Sequence, residues 1–168
     1  EVIIIEDEKN KELAESVVNG VTEIVNKYER VIVLEDDIVT AKGFLKYMNE
    51  ALDVYQDEKK VMAISAFMFP VNSKKLPQTF FYNCNSCWGW ATWKRSWAYY
   101  NNSSLELYGQ LINDGVDWQK FNGYQGNNFK EQLIANVEKR LKTWAVNWHS
   151  SMFLKNGFVL HPGNSLTK

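Results

Sequence analysis

The sequence predicts an α/β domain in which helices cover both faces of a mostly parallel central sheet. Three apolar runs have the length of strands: "VIII" at Val2–Ile5, "VIVL" at Val31–Leu34 and "VMAISAFMF" at Val61–Phe69. Segments with apolar residues at helical spacing separate these runs, so the predicted order is strand, helix, strand, helix, strand. Strands that are apolar throughout are buried on both faces, and helical connections between them are typical of parallel sheets.

Two helices connect these strands. The first is predicted from about Asn10 to Tyr28, and Thr40 can cap the second. The apolar face of the first is Leu13, Val17, Val21, Ile24 and Tyr28, and that of the second is Phe44, Leu45, Met48, Leu52 and Tyr55.

The second half of the chain contains all seven tryptophans and has weaker periodicity. Helices are predicted from about Asn128 to Arg140 and from about Trp144 to Lys155, and "FVLHP" after Gly157 predicts a last strand. We expect Trp93 and Trp97 to be core residues because they lie four apart on a predicted helix. Because the chain has no repeat or linker, residues 1–168 are interpreted as a single domain.

Composition excludes some classes of function. The 168 residues are 45% hydrophobic and 23% charged, with a net charge of −1 and no basic stripe, so nucleic acid is not an expected partner. No apolar run approaches the roughly 18 residues that predict a membrane span. The chain enters an apolar run without an initiator Met, so we interpret it as part of a longer protein.

Three carboxylates follow the second predicted strand in "VIVLEDDIV". Glu35, Asp36 and Asp37 lie at its carboxyl end, where ligands bind in open α/β sheets. Hard cations such as Mg²⁺ and Mn²⁺ prefer carboxylate oxygens, and often bind through one or two of them together with substrate phosphates. The alternative is that Asp36 and Asp37 cap a turn and face water. The residues alone leave both interpretations open.

The segment "KELAESVVNGVTEIVNKYERVIVLEDDIVTAKGFLKYMNEAL" resembles the nucleotide-sugar-dependent glycosyltransferases of the GT-A fold. The resemblance is to bacterial family-2-like members and to the related N-acetylglucosaminyltransferase I group, whose Asp-x-Asp-type motif is often written Glu-Asp-Asp. It implies that Asp37 binds Mn²⁺ or Mg²⁺, which holds the diphosphate of the donor. It also implies that Asp36 lies near the ribose or a metal-bound water, with Glu35 as a supporting acid.

Two later blocks extend the resemblance. "CWGWATWKRSW" (Cys87–Trp97) is similar to a Trp-Gly-Trp segment that forms part of the acceptor and donor-sugar pocket. "TWAVNWHSSMFLKNGFVLHPGNSL" (Thr143–Leu166) is similar to the C-terminal helix and strand of the family. Aromatic rings suit the apolar faces of sugars. The implied substrate contacts are Trp88, Gly89, Trp90, Trp144, Asn147 and Trp148.

The chain departs from the family at the catalytic base. Relatives of N-acetylglucosaminyltransferase I carry an acid between the paired tryptophans, where this chain has Ala145, Val146 and Asn147. Asp114 and Asp117 are the remaining candidates for a base. His149 and His161 stand where aromatic residues are expected, and each is either structural, a base or a metal ligand. The family's nucleotide-binding portion is mostly missing, so the resemblance implies an N-terminally truncated domain.

The predicted function is metal-dependent, inverting transfer of a sugar from a nucleoside diphosphate sugar to a hydroxyl of a glycan or another acceptor. A non-catalytic carbohydrate-binding module of the same fold is the alternative. A Mg²⁺-dependent phosphotransfer domain fits less well because "EDDIV" lacks the expected spacing and a partner lysine. The expected location is the cytoplasm, with membrane association through parts outside this chain.

Overall fold

The computed structural model describes residues 2–6, 9–69, 76–123 and 127–168, which contain five strands and seven helices. In chain order the elements are α1 (Glu12–Tyr28), β1 (Arg30–Val33), α2 (Phe44–Val54), β2 (Val61–Ser65), β3 (Thr79–Tyr82), β4 (Trp90–Trp93), α3 (Lys94–Trp97), α4 (Ser104–Asn113), α5 (Trp118–Asn122), α6 (Phe129–Val137), α7 (Trp144–Leu154) and β5 (Phe158–Pro162).

The strands form one mixed sheet in the order β1-β4-β2-β5-β3. Strand β4 is antiparallel to both β1 and β2, β2 is parallel to β5, and β5 is antiparallel to β3. The predicted α/β class is therefore confirmed. The prediction of a mostly parallel, Rossmann-like sheet is not confirmed, because only one of these four pairings is parallel.

Two short strands account for this difference. Strand β3 lies at one edge of the sheet, and β4 lies between β1 and β2. Each has only four residues, and the aromatic "WATW" of β4 gives no strand alternation that sequence periodicity can detect. Strands β1, β2 and β5 still run in the same direction, so their carboxyl ends lie at one edge of the sheet, here named the carboxyl edge.

Helices cover both faces of the sheet, as predicted. On one face, α1 and α7 pack over β2, β4 and β5, and the buried residues there include Val21, Val25, Trp90, Trp144 and Trp148. On the other face, α2 packs over β2 and β4 through Phe44, Met48, Ala51 and Leu52. A smaller cluster joins α4, α5, α6 and α7 through Leu107, Leu111, Phe121, Leu133 and Val146.

The strand predicted for Val2–Ile5 does not form. These residues lie outside any strand, and their side chains are between 62% and 89% exposed. The only strand that pairs with β1 in the described part of the chain is β4, so one side of β1 is a sheet edge. A four-residue apolar run is not stable as a strand without a paired neighbour, which explains why the local pattern was misleading.

The other boundaries lie close to the predictions, except at the end of β2 and at the start of α2. Strand β2 ends at Ser65, four residues before the predicted Phe69. Gly43, with φ of 94°, is the residue before α2, so Thr40 is not its cap. Thr40 instead forms a bridge with Thr167. The predicted last strand coincides with β5. None of the helices in the described ranges combines the length and apolar character that crossing a membrane requires.

Candidate functional site at the carboxyl edge

The three carboxylates form a turn directly after β1. The amide of Ile38 donates a hydrogen bond to the carbonyl oxygen of Glu35 over 3.2 Å, which closes the turn. Asp36 and Asp37 are exposed, whereas Glu35 is half-buried. Burial, followed by the charges of Asp37 and Asp36, raises the pKa of Glu35 above its usual value. The carboxylate turn (Glu35–Asp37) therefore concentrates negative charge at the carboxyl edge.

The geometry does not bring the three acids together as a ready-made metal site. Among the described residues, no group of three acidic, histidine or cysteine side chains is arranged to hold a metal ion. Asp37 is exposed, so its carboxylate oxygens are accessible from solvent. Its function as the metal ligand, and that of Asp36 and Glu35 at the donor, stay predictions.

The last residues of the chain cross the carboxyl edge and join the carboxylate turn to the end of β2. The amide of Val39 donates to the carbonyl oxygen of Lys168 over 2.9 Å, and the amide of Lys168 donates back over 3.0 Å. The amide of Leu166 donates to the carbonyl oxygen of Ala66 over 2.8 Å, beyond the end of β2. We name residues Leu166–Lys168 the C-terminal strap. It holds the exit of the carboxylate turn in a defined position.

Gly89 lies where β1, β2 and the strap converge. Its φ is +82°, and a Cβ there would lie 2.8 Å from Cγ2 of Thr167 and 3.4 Å from Cδ2 of Leu34. Its carbonyl oxygen accepts a hydrogen bond from the amide of Ala66 over 2.8 Å. The absent side chain thus lets protein segments approach one another, and the substrate contact that the resemblance implies for Gly89 stays a prediction.

Trp88 presents an aromatic surface at this edge. Its side chain is 49% exposed, and its ring packs edge-to-face on Phe67 with the centroids 4.5 Å apart. Phe69 is 54% exposed and packs on Phe67 in the same way at 5.1 Å. Sequence reasoning identified Trp88 but missed Phe67 and Phe69, whose signal was the pair of aromatics ending the "AFMF" run.

The acids lie close to this aromatic cluster. Burial is the main cause that raises the pKa of the Cys87 thiol to about 11, and the Glu35 carboxylate is the next largest. Asp37 contributes in the same direction. Trp90 pairs with Val33, and Gly89 lies against Leu34, so the segment that carries Trp88 runs beside the start of the carboxylate turn.

Three of the predicted sugar contacts are core residues in the structure. Trp90 and Trp148 are 0% exposed, and Trp144 is also buried. The ring of Trp90 stacks on that of Trp144 with centroids 5.3 Å apart, because Trp90 points from the sheet toward α7. The burial of Trp90 and Trp148 leaves no ring surface for a ligand. Trp93 and Trp97 are buried, as predicted, but they do not share a helix: Trp93 is the last residue of β4 and Trp97 is the last residue of α3.

Asn147 is buried and links α7 to the start of α4. Its Oδ1 accepts a hydrogen bond from Oγ of Ser104 over 2.7 Å, and its Nδ2 donates to the carbonyl oxygen of Asn102 over 3.1 Å. Asn147 and Trp144 also line a cavity of about 790 Å³ on the α1 and α7 side of the sheet. Any contact of these two residues with a ligand would be made from that cavity.

The two candidate bases have local structural functions. Asp117 caps α5 by accepting hydrogen bonds from the amides of Gln119 over 3.0 Å and Lys120 over 3.2 Å. The bond from Lys120 is the main cause that lowers the pKa of Asp117. Asp114 is the exposed residue at the end of α4. Neither has a contact that identifies it as a base, so that function stays a prediction.

Both histidines are buried and bonded to backbone carbonyls. Nε2 of His149 lies 2.8 Å from the carbonyl oxygen of Phe121, and its ring stacks on Phe129 at 4.1 Å. Burial lowers the pKa of His149 to about 4. Nε2 of His161 lies 2.9 Å from the carbonyl oxygen of Cys84, and burial lowers its pKa as well. These contacts favour the structural interpretation of both residues.

The carboxyl edge thus combines an acidic turn, an exposed tryptophan and a strap that holds them in place. Carboxylates attract cations, and the ring of Trp88 provides an apolar face beside them. The arrangement can therefore hold a ligand that is polar at one end and presents C–H groups at the other. A scan of protein-family models and a search of curated proteins find no match to this chain.

Proposed function

We propose that this chain binds a nucleoside diphosphate sugar through a divalent cation and transfers the sugar to an acceptor hydroxyl. The observation that supports this most directly is that the chain segment carrying the exposed Trp88 lies beside the end of β1, from which the carboxylate turn begins. A diphosphate with its cation needs acidic oxygens, and a sugar ring needs an aromatic face. Both are present at the edge of the sheet where ligands usually bind.

Each residue of this edge has a separate role in the proposal. Asp37 provides exposed carboxylate oxygens for Mn²⁺ or Mg²⁺, and Asp36 faces the ribose or a metal-bound water. Glu35 adds negative charge from a half-buried position. Trp88 stacks on the donor sugar. When bound, the cation supplies Lewis acidity that stabilises the departing diphosphate. The candidates for the base that deprotonates the acceptor are still Asp114 and Asp117.

Calorimetry with Mn²⁺ and UDP-, GDP- and dTDP-sugars tests the donor site. We expect metal-dependent binding of at least one donor to the wild-type chain and loss of that binding in Asp37→Ala. Asp57→Ala is the matched control because Asp57 is an exposed aspartate in the turn after α2. Loss of binding in both variants, or in neither, would contradict the assignment of Asp37.

The exposed tryptophan has its own test. Trp88→Ala removes a sugar-stacking surface, which is worth about 0.5–1.5 kcal/mol in aromatic contacts, so donor binding should weaken by about twofold to twelvefold. Binding of the free nucleoside diphosphate with Mn²⁺ should be unchanged, because it has no donor sugar. Equal weakening of both ligands would show that Trp88 acts on the nucleotide or on folding.

A non-catalytic carbohydrate-binding module is the second candidate. The exposed pair Trp88 and Phe69 favours it, as does the absence of an acid between Trp144 and Trp148. The two candidates differ in their requirements. A binding module at this edge would bind no nucleoside diphosphate with Mn²⁺, and its binding of free sugars in EDTA would be lost in Trp88→Ala and retained in Asp37→Ala. If the chain binds neither nucleotide sugars nor free sugars, both candidates are wrong.

A further inference from the structure

The cavity on the α1 and α7 side of the sheet is a second concave surface, separate from the carboxylate turn. Its volume of about 790 Å³ falls within the range of roughly 300–1,000 Å³ typical of ligand sites. The first half of α1 forms one wall, and the start of α4 and the loop between α6 and α7 form others. We name it the α1–α7 cavity.

Its lining is rich in groups that both donate and accept hydrogen bonds. Four side-chain amides line it, those of Asn19, Asn102, Asn136 and Asn147, together with the hydroxyls of Ser104 and Thr143. Trp144 lines the same wall with the 4% of its surface that is exposed. A sugar presents hydroxyls that donate and accept, together with apolar C–H faces, so this combination suits a carbohydrate.

Part of the lining is held rigid before any ligand arrives. Nδ2 of Asn136 donates to the carbonyl oxygen of Thr143 over 2.8 Å, and the amide of Thr143 donates to Oδ1 of Asn136 over 3.1 Å. Asn147 is fixed by Ser104 and Asn102. These bonds fix the two amides on the cavity wall whether or not a ligand is bound. A preorganised wall lowers the entropy lost on binding.

The charges at the cavity favour a neutral ligand. Its charged lining residues are Glu15, Lys139 and Lys142, so both signs are present. Lys142 also forms an ion pair with Glu12, with Nζ and Oε2 2.7 Å apart. A strongly anionic ligand such as a nucleoside diphosphate would gain little there. An uncharged glycan is the better match.

The cavity lies near the level of the carboxyl edge. The single residue Glu29 connects α1 to β1, so the chain reverses and α1 runs back along the strand. Helix α1 has 17 residues, about 25 Å, whereas the four residues of β1 span about 13 Å, so the start of α1 extends beyond the carboxyl end of β1.

A layer of packed side chains connects the cavity to the carboxylate turn. Trp144, on the cavity wall, stacks on Trp90 with the ring centroids 5.3 Å apart. Trp90 follows Gly89, which lies against Leu34, the residue before Glu35. The cavity and the turn are thus close on neighbouring parts of one edge.

We propose that the α1–α7 cavity binds a neutral, hydroxyl-rich glycan, which is the acceptor if the proposed transferase function holds. The acceptor hydroxyl would then approach the donor sugar from the α1 and α7 face of the sheet. Its class is an uncharged glycan, because the lining carries several neutral groups that donate and accept hydrogen bonds and its charged residues have both signs.

Titration with cellobiose, maltose, lactose and diacetylchitobiose, followed by NMR of the side-chain amides, tests this site. We expect at least one disaccharide to shift the amide signals of Asn147 and Asn102. Asn19→Trp fills the cavity from an exposed position on α1 and should weaken binding by about tenfold or more through steric exclusion. Asn26→Trp is the matched control, an exposed asparagine on α1 that does not line the cavity.

The outcomes separate this proposal from the donor site. Disaccharide binding should persist in Asp37→Ala and in EDTA, even if donor binding fails there. Equal binding by wild type and Asn19→Trp would overturn the cavity proposal, as would the absence of shifts with all four disaccharides. If no donor binds but a disaccharide still binds in the cavity, the transferase function is contradicted and the cavity proposal stands.

Discussion

Gly89 is the residue on which packing at the carboxyl edge depends most. It adopts φ of +82° and faces Thr167 from the strap and Leu34 from the end of β1. Both the backbone conformation and the lack of space exclude a side chain. Substitution at this position would therefore move the strap, the carboxylate turn or both.

We expect Gly89→Ala to lower the free energy of unfolding by about 2–5 kcal/mol, the sum of left-handed backbone strain and overpacking. Gly20→Ala is the control: Gly20 lies in α1, where an added methyl group would meet nothing within 4 Å. This control should gain about 0.5–1 kcal/mol from helix propensity. Urea denaturation measures both. Similar stability of the two variants would contradict the close packing.

His149 makes stability depend on pH. Its pKa is lowered from 6.5 to about 4 by burial, so between these values the unfolded state binds a proton that the folded state does not. His149 therefore does not reduce the free energy of unfolding above pH 6.5. As the pH falls from 6.5 toward 4, protonation of this residue in the unfolded state lowers the free energy of unfolding by up to about 3 kcal/mol.

The variant His149→Phe tests this pH dependence because it retains a ring that can stack on Phe129. Its absolute stability at neutral pH should fall, since the carbonyl oxygen of Phe121 loses its partner. The slope of unfolding free energy against pH should nevertheless be smaller in this window. An unchanged slope in urea titrations across the window would show that His149 does not titrate as described.

At the scale of elements, the start of α5 allows two candidate functions of Asp117 to be tested separately. The side chain caps the helix, and it is also a candidate for the catalytic base. Asp117→Ala should lower the melting temperature by about 2–4 °C through loss of the cap, whereas Asp117→Asn should retain most of it, since both residues cap helices well. Thermal unfolding measures the difference.

Transfer activity separates the two interpretations of Asp117. If the residue is only a cap, Asp117→Asn keeps its activity along with its stability. If it is the base, Asp117→Asn is stable but loses transfer, because an amide does not accept the proton. A variant that is both stable and active would exclude Asp117 as the base.

For the whole molecule, the direction of β4 is what assembles the site. Because β4 is antiparallel to β1, its first residue lies at the carboxyl edge, and Trp88 and Gly89 arrive beside the carboxylate turn. In a fully parallel sheet the same segment would begin at the opposite edge. The departure from the predicted parallel sheet therefore brings together the acids and the tryptophan that the sequence singled out separately.

The C-terminal strap completes this assembly. Deletion of residues 166–168 removes four backbone hydrogen bonds, to Val39 twice, Ala41 and Ala66. At roughly 0.5–1.5 kcal/mol each, their loss should lower the free energy of unfolding by about 2–6 kcal/mol. Hydrogen exchange should rise at Val39 and Ala41 and stay unchanged in α4. Equal hydrogen-exchange protection of Val39 and Ala41 in the wild type and the deletion variant would show that the strap does not hold the turn.

The sequence by itself determined the elements whose signals are local. Apolar spacing over a few residues predicted α1, α2, α6 and α7, and the acids after "VIVL" were correctly placed at the end of a strand. Periodicity records which residues share a face of one element, and these elements have a clear face.

Only the tertiary structure decided how the strands pair and which aromatic rings are buried. Strand β4 pairs with β1 and β2 from distant parts of the chain, and no local pattern specifies that direction. Trp88 and Trp90 are two residues apart in sequence, yet Trp88 is 49% exposed and Trp90 is in the core. The ring of Trp90 packs on Trp144 of α7, whereas the ring of Trp88 packs on Phe67 at the carboxyl edge. Val2–Ile5 has the pattern of a strand but no paired neighbour. Pairing and burial are set by contacts between distant segments, and those contacts exist only in the folded chain.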